Sequence, residues 1–255
     1  MSIENLFDIS GRKALVTGAA RGIGKVVAIT LAEAGCDVSL VGLHIEGVEK
    51  LAEEINGMGV KAIAFQADVS KKDEVARAFA RTANEFGHLD ICVNNAGVSM
   101  QKPVEDMPEE DWDIIMDTNM KGVFLCSQEA ARLMIPQKSG SIINIGSISA
   151  HIVNLPQKQA VYNTSKAGVV MLTKSMALEW APYGIRVNSI SPGYMKTEMT
   201  LETMAPLFPT WESLTPIGRL GMPEELRGAV IFLASEASSY MIGVDVVIDG
   251  GYTIR

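Results

Sequence analysis

The chain has 255 residues with a formal net charge of −8; 47% of them are apolar and 20% charged. That length and hydrophobicity suit one large α/β domain and exclude a disordered chain. The acidic balance, with a pI near 5.0, excludes a global basic field for nucleic acid or an anionic membrane and fits a soluble protein with a small-molecule ligand. Cys36, Cys92 and Cys126 are widely spaced and form no C-x-x-C pair. They read as buried thiols in a reducing compartment, with neither a disulfide framework nor a metal site expected. The run from Met1 to Asp8 carries acids and lacks an apolar core, so no signal or transit peptide is expected there. No stretch approaches the ~18 apolar residues of a membrane helix.

The first expected strand, Lys13 to Thr17, runs into Thr17-Gly18-Ala-Ala-Arg21-Gly22-Ile23-Gly24, and a helical pattern at 22–34 follows. Glycines there permit a tight turn and let a pyrophosphate approach the free N–H groups of a helix start. The spacing is G-x-x-x-G-x-G, not the common G-x-G-x-x-G, and a purely structural turn is the alternative. The second strand, Asp37 to Val41, ends in Gly42-Leu43-His44, without the acid that accepts a hydrogen bond from the ribose 2′-hydroxyl of NAD. Arg21 and His44 are therefore candidates for a 2′-phosphate, which favours NADP(H) and leaves NAD possible. A helix at 46–57, a strand from Lys61 to Phe65 and a helix at 71–86 come next, with Asp68-Val69 between the last two.

The fourth strand, Leu89 to Val93, leads into Asn94-Asn95-Ala96-Gly97, and one long helix is expected over 109–134. The fifth, Ser141 to Ile145, ends at Gly146-Ser147. A helix at 160–181 carries Tyr162 and Lys166, four apart and so on one face. The sixth strand, Ile185 to Ile190, precedes Pro192-Gly193, with Met195 and Thr197 beyond. The segment 195–221 is irregular and rich in Met, Leu and Pro. A helix at 223–234 and a strand from Asp245 to Ile248 close the chain. Strands apolar on both faces, alternating with helices, predict a Rossmann-type doubly wound parallel sheet of about seven strands in one domain, 1–255. Ligands of such a sheet bind at the carboxyl ends of the strands.

T-G-x-x-x-G-x-G at Thr17–Gly24, N-N-A-G at Asn94–Gly97, Y-x-x-x-K at Tyr162–Lys166 with Ser147 upstream, and Pro192-Gly193 with Thr197 stand in an order that resembles the short-chain dehydrogenase/reductase family over nearly the whole chain. The resemblance implies a cytoplasmic enzyme, often a homotetramer, that uses a nicotinamide cofactor. It makes Tyr162 the general acid and base, Lys166 a holder of the nicotinamide ribose, Ser147 the donor to the substrate oxygen, and Asn119 the holder of a relay water. Cofactor contacts are implied at Thr17, Gly18, Arg21, Gly22, Ile23 and Gly24, then at His44, Asp68, Val69, Asn95, Ala96 and Gly97. They continue at Tyr162, Lys166, Pro192, Gly193, Met195 and Thr197. The segment near 195–221 serves relatives as a substrate lid. A phenol of pKa ~10 needs about three units of lowering to work near neutrality, and an adjacent cation supplies ~1–3. Lys166 with the nicotinamide charge is of the right size.

The gap of 15 residues from Ser147 to Tyr162 leaves Ser149 as a contender for the serine role. The stretch Gly146 to Gln157, with Ser149, His151, Asn154 and Gln157, resembles sugar-alcohol dehydrogenases and ketose reductases. The expected substrate is a polyol or ketose, met by Ser147, Ser149, Asn154 and Tyr162. His151 is expected either in the pocket or on the surface, and His88 in solvent. A 3-oxoacyl-(acyl-carrier-protein) reductase is the alternative, although it needs a basic rim for its acidic carrier. A nucleotide-binding regulator without turnover is a further one, but such proteins typically lose the tyrosine or the lysine.

Overall fold

β-Branched segments that are apolar on both faces pair stably only where helices cover each side of the sheet. The computed structural model, which describes residues 2–254, shows that arrangement. Strands β1 (Lys13–Thr17), β2 (Asp37–Gly42), β3 (Ala62–Gln66), β4 (Ile91–Asn94), β5 (Gly140–Ile145), β6 (Ile185–Pro192) and β7 (Asp245–Ile248) form one parallel sheet in the order β3-β2-β1-β4-β5-β6-β7. Each expected strand is present, shifted by at most two residues at either end. The alternation along β1 divides the core: Ala14 and Val16 join one apolar cluster, Leu15 the other. Strand order reverses between β1 and β4, the switch point where such sheets open a crevice.

The helices are α1 (Ile3–Phe7), α2 (Gly22–Glu33), α3 (Ile45–Asn56), α4 (Lys72–Phe86), α5 (Glu109–Met116), α6 (Gly122–Gln137), α7 (Ala160–Trp180), α8 (Glu198–Thr203), α9 (Phe208–Leu214) and α10 (Arg227–Ala234). The helix expected over 223–234 opens as a 3-10 turn, Pro223–Leu226, and is α-helical only from Arg227; three further regions differ from expectation. The helix expected over 109–134 is interrupted by a π turn, Asp117–Lys121, and runs on to Gln137. The wider turn faces Asn119 inward, fully buried, as π-bulges often do at functional sites. The segment 195–221, expected to be irregular, holds α8 and α9. Thr197 caps α8 reciprocally with Thr200, a Thr-x-x-Thr version of the capping box that lacks the usual Glu or Gln. The N-terminal α1 was not expected; the Ser2 hydroxyl accepts the Asn5 N–H at 3.3 Å to start it. All three cysteines are buried free thiols, and burial pushes Cys36 and Cys126 up to about 12.

Candidate active site

Backbone geometry builds the β1 end of the crevice. Gly18 and Gly22 have φ of 63° and 55°, a region that L side chains rarely adopt. A Cβ at Gly18 would stand 2.8 Å from Ala96 Cα, and one at Gly24 only 2.2 Å from the Gly18 carbonyl oxygen. The loop after β4 is tied to this turn from behind. Thr17 Oγ1 accepts the N–H groups of Asn95 and Ala96 at 3.0 and 3.1 Å, while Asn95 Nδ2 donates to the carbonyls of Thr17 and Gly18 at 3.0 Å each. Helix α2 has no acidic residue in its own first turn, and the negative charge at its positive end comes from Glu198 of a later segment.

A cavity of about 700 Å³ runs from this turn across the strand ends to Ser147, Tyr162 and Lys166. Gly18, Arg21, Gly22, Ile23, His44, Asp68 and Val69 line it, as do Asn95, Ala96, Gly97, Pro192, Gly193, Met195 and Thr197. Thr17 and Gly24, expected as contacts, instead shape the turn from behind the cavity wall. Arg21 is 63% exposed at the rim, 3.9 Å from Glu202, and the Gly22 N–H donates to Glu198 at 3.0 Å. Both acids belong to α8, so the segment expected as a lid does reach the glycine turn. Among the described residues, no group of His, Cys, Asp and Glu could hold a metal ion.

At the other end, β5 delivers Ser147, which caps the short 3-10 turn Ile148–Ala150. Ser147 Oγ accepts the Ser149 N–H at 3.1 Å and lies near enough to the Tyr162 phenol to favour its ionised form. The Ser149 hydroxyl instead donates to Asn154 Oδ1 at 2.8 Å, which leaves Ser147 as the serine that meets the tyrosine. On α7, Lys166 is 5% exposed, and its Nζ donates to the Ile145 carbonyl at 2.8 Å and lies 5.7 Å from the centroid of the Tyr162 ring. Burial lowers the ammonium to about 8. Burial also raises the phenol, and Ser147 offsets part of that. The lowering expected at Tyr162 is that of Lys166 together with the nicotinamide charge; without the cofactor, burial keeps the phenol above its ordinary value. The Lys166 ammonium is directed at the Ile145 carbonyl.

Asn119 lies behind the cavity wall. Its Oδ1 accepts the Val98 N–H at 2.8 Å, and its Nδ2 donates to the Val98 carbonyl and Ser165 Oγ at 2.9 and 3.0 Å. It thereby clamps the loop after β4 to α7.

Asn154, expected to meet a substrate hydroxyl, borders the cavity with its amide already engaged. Oδ1 accepts from Ser149 Oγ and Gln159 Nε2, and Nδ2 donates to Tyr194 Oη at 3.0 Å. Tyr194 was not singled out from the sequence; its only signal is an aromatic directly after Pro192-Gly193. It stacks on Trp211 of α9 at 3.9 Å between ring centroids and meets Tyr252 edge-on at 5.1 Å. Trp211 is fully buried, so its N–H needs an acceptor. With the amide oxygen of Gln157 turned toward it, Trp211 Nε1 lies 3.2 Å away and Tyr194 Oη 2.9 Å. This network joins α9 to the loop after the serine. His151 points away from the cavity, to Asp245 at 2.6 Å, and His88 is half-exposed, 3.1 Å from Asp90.

This geometry has counterparts among known proteins. A family model described as enoyl-(acyl carrier protein) reductase matches residues 18–253. The structure of a short-chain type dehydrogenase/reductase from Mycobacterium marinum is 49% identical, with all of both chains covered and a TM-score of 0.97. The chain belongs to the short-chain dehydrogenase/reductase family. It is an oxidoreductase of the kind that acts on CH–OH groups. Within the family, a gluconate 5-dehydrogenase of Gluconobacter oxydans is 40% identical, covering 100% of this chain and 99% of the relative. A 3-oxoacyl-[acyl-carrier-protein] reductase of Staphylococcus aureus is also 40% identical, over 94% and 97%. A gluconate 5-dehydrogenase from Burkholderia cenocepacia, solved in complex with NADP and tartrate, is 38% identical over 98% of both chains, with a TM-score of 0.93. Since identity is equal for a sugar-acid and an acyl relative, the pocket residues must separate the substrates.

Proposed function

We propose that the protein is an NADP(H)-dependent oxidoreductase that interconverts a polyol and its ketose. The observation that supports this most is the wall beside Ser147 and Tyr162. Ser149, Asn154, Gln157, Gln159 and the Tyr194 hydroxyl crowd there, groups suited to hydroxyls and costly to bury against an acyl chain.

The residues present fit a dinucleotide. The cradle at Gly18 admits no side chain, Gly22 and Ile23 at the start of α2 line the crevice, and β2 ends at Gly42 without an acid that would repel a 2′-phosphate. Arg21 and His44 at the rim would take that phosphate, Asp68 and Val69 the adenine, and Lys166 the nicotinamide ribose. When bound, the nicotinamide supplies or accepts a hydride equivalent, and in its oxidised form adds a positive charge near Tyr162. That charge is the contribution the protein's own groups lack. In ketose reduction Tyr162 gives its proton to the carbonyl oxygen, while Ser147 donates to the same oxygen and steadies the developing alkoxide. In polyol oxidation the phenolate takes the proton back. Ser147, Tyr162 and Lys166 are all present, which favours an enzyme over a non-catalytic regulator. Support for a cytosolic homotetramer comes from the three buried thiols and from Trp112, Ile114, Phe124, Met171 and Leu178 exposed on α5, α6 and α7.

A panel of polyols, ketoses and acetoacetyl thioesters, each with NADP(H) and NAD(H), tests the proposal. The expected result is highest kcat/KM for a ketose with NADPH. The apolar lid residues Met199 and Met204 favour the acyl-reductase reading instead. It takes over if a thioester outpaces every ketose.

A further inference from the structure

The catalytic serine is held from beneath by a carboxylate at the edge of the sheet. Asp245 opens β7 in register with Ser189 of β6, and its side chain is 7% exposed. Ser189 and Ser191, two apart and therefore on one face of β6, both donate to Asp245 Oδ1, at 2.5 and 2.9 Å. The other oxygen, Oδ2, lies 2.6 Å from His151 Nε2. Ser191 Oγ in turn accepts the backbone N–H of Ser147 at 3.1 Å. A Cβ at position 146 would stand 2.5 Å from that hydroxyl oxygen, so Gly146 is what admits the contact. Ser147 and His151 bracket the turn Ile148–Ala150. One carboxylate thus holds both ends of the turn, whose Ser149 N–H donates to Ser147 Oγ, the oxygen that acts on the Tyr162 phenol.

An edge strand needs no buried acid at this position; Val246, Val247 and Ile248 beside it are apolar. A carboxylate taken out of water is costly unless hydrogen bonds satisfy it, and here three groups from two chain segments do so. We infer that Asp245 is a positioning residue for catalysis: through Ser191 and His151 it fixes the turn that aims Ser147 Oγ at the Tyr162 phenol. The inference rests on Ser147 and Tyr162 acting as a pair, and not on which substrate they meet.

The test uses Ser191→Ala, Asp245→Ala and Asp245→Asn. Tyr162 is titrated by ultraviolet difference in the presence of saturating NADP⁺, or NAD⁺ if that binds better, with Tyr162→Phe as the blank. A serine that no longer points at the phenol stabilises the phenolate less. The midpoint should rise by roughly half a pH unit to one unit in the two alanine variants, the size of one ordinary hydrogen bond, and by less in Asp245→Asn. With the best substrate, kcat should fall by about tenfold with KM for the cofactor unchanged, short of the ~10²-fold cost of a full ångström of misplacement. A carboxylate that merely pins the sheet edge would lower the melting temperature and leave the midpoint at its wild-type value. That result in Ser191→Ala, which removes a single oxygen, overturns the inference even if Asp245→Ala fails to fold. The titration needs no substrate, so an empty substrate panel counts against the proposed function alone.

Discussion

The two ends of the cavity are built differently. At the β1 end the backbone makes the site: two glycines at positive φ, a third against a carbonyl, and amides at a helix start. At the β5 end side chains make it, with Asn154, Gln157, Gln159, Tyr194 and Trp211 satisfying one another around Ser147 and Tyr162. A backbone site recognises what every dinucleotide shares. A side-chain network can be retuned by one substitution, and it is there that two relatives of equal identity with different substrates can diverge.

Breaking the β5 end at its reacting group should have the largest effect. Tyr162→Phe removes the transferable proton and leaves the fold, so kcat should fall by ~10²–10⁴ while cofactor binding, followed by nucleotide fluorescence, stays intact. A kcat within tenfold of wild type would remove Tyr162 from its role. The β1 end should break through sterics instead. Gly24→Ala places a methyl 2.2 Å from the Gly18 carbonyl oxygen, and relief requires deforming the turn. We expect ~1–3 kcal/mol of strain, a lower melting temperature and a ~10–100-fold weaker cofactor Kd. An alanine variant that binds cofactor normally would show that the turn yields without cost.

How far each end was legible follows from the same contrast. Glycine leaves a signature because no other residue tolerates Gly18 or Gly24, and Tyr162 and Lys166 leave one through helical spacing. The sheet was legible because strands apolar on both faces have few other uses. The network was not: Tyr194 is 40 residues from Asn154 and 17 from Trp211 in sequence, and nothing local marks amides that turn toward one another. Asn154 read as a free hydroxyl partner for that reason. The π turn at Asn119 was hidden because it adds a residue without breaking the apolar pattern.

Two smaller substitutions sharpen the contrast. Asn154→Ala should loosen Tyr194 and leave Ser149 and Gln159 short of a partner, at ~1–3 kcal/mol. KM for the hydroxylated substrate should rise about tenfold, while reduction of a small apolar ketone is spared. Equal losses for both would mean that the network supports the fold and does not select the substrate. For the cofactor, Gly42 is a poor place to add an acid, since its Cβ would meet Val48 at 2.8 Å. Leu43 is 57% exposed and lines the cavity. Leu43→Asp should lower the NADPH-to-NADH ratio of kcat/KM by about tenfold through like-charge repulsion. An unchanged ratio would place the 2′-phosphate elsewhere.

The smallest effect concerns Lys166 and the stability of the protein without ligands. Its folded pKa of about 8 lies below the 10.5 of an unperturbed lysine. Between those values the unfolded chain binds the proton and the folded chain does not, so this group's contribution to stability rises with pH across that window. Other groups act in the opposite sense. Burial raises the three thiols above their ordinary 9.0 and Tyr162 above 10.0, so in unfolded chain they ionise first and take stability away above about 9 and 10. A raw melting curve mixes these trends. The difference between wild type and Lys166→Met cancels them, because the variant keeps every thiol and the phenol. Wild type should gain melting temperature on the variant from about pH 8 to 10.5 and level off above. A flat difference would mean that the ammonium is not depressed by burial, and that its bond to the Ile145 carbonyl offsets the loss of water in full.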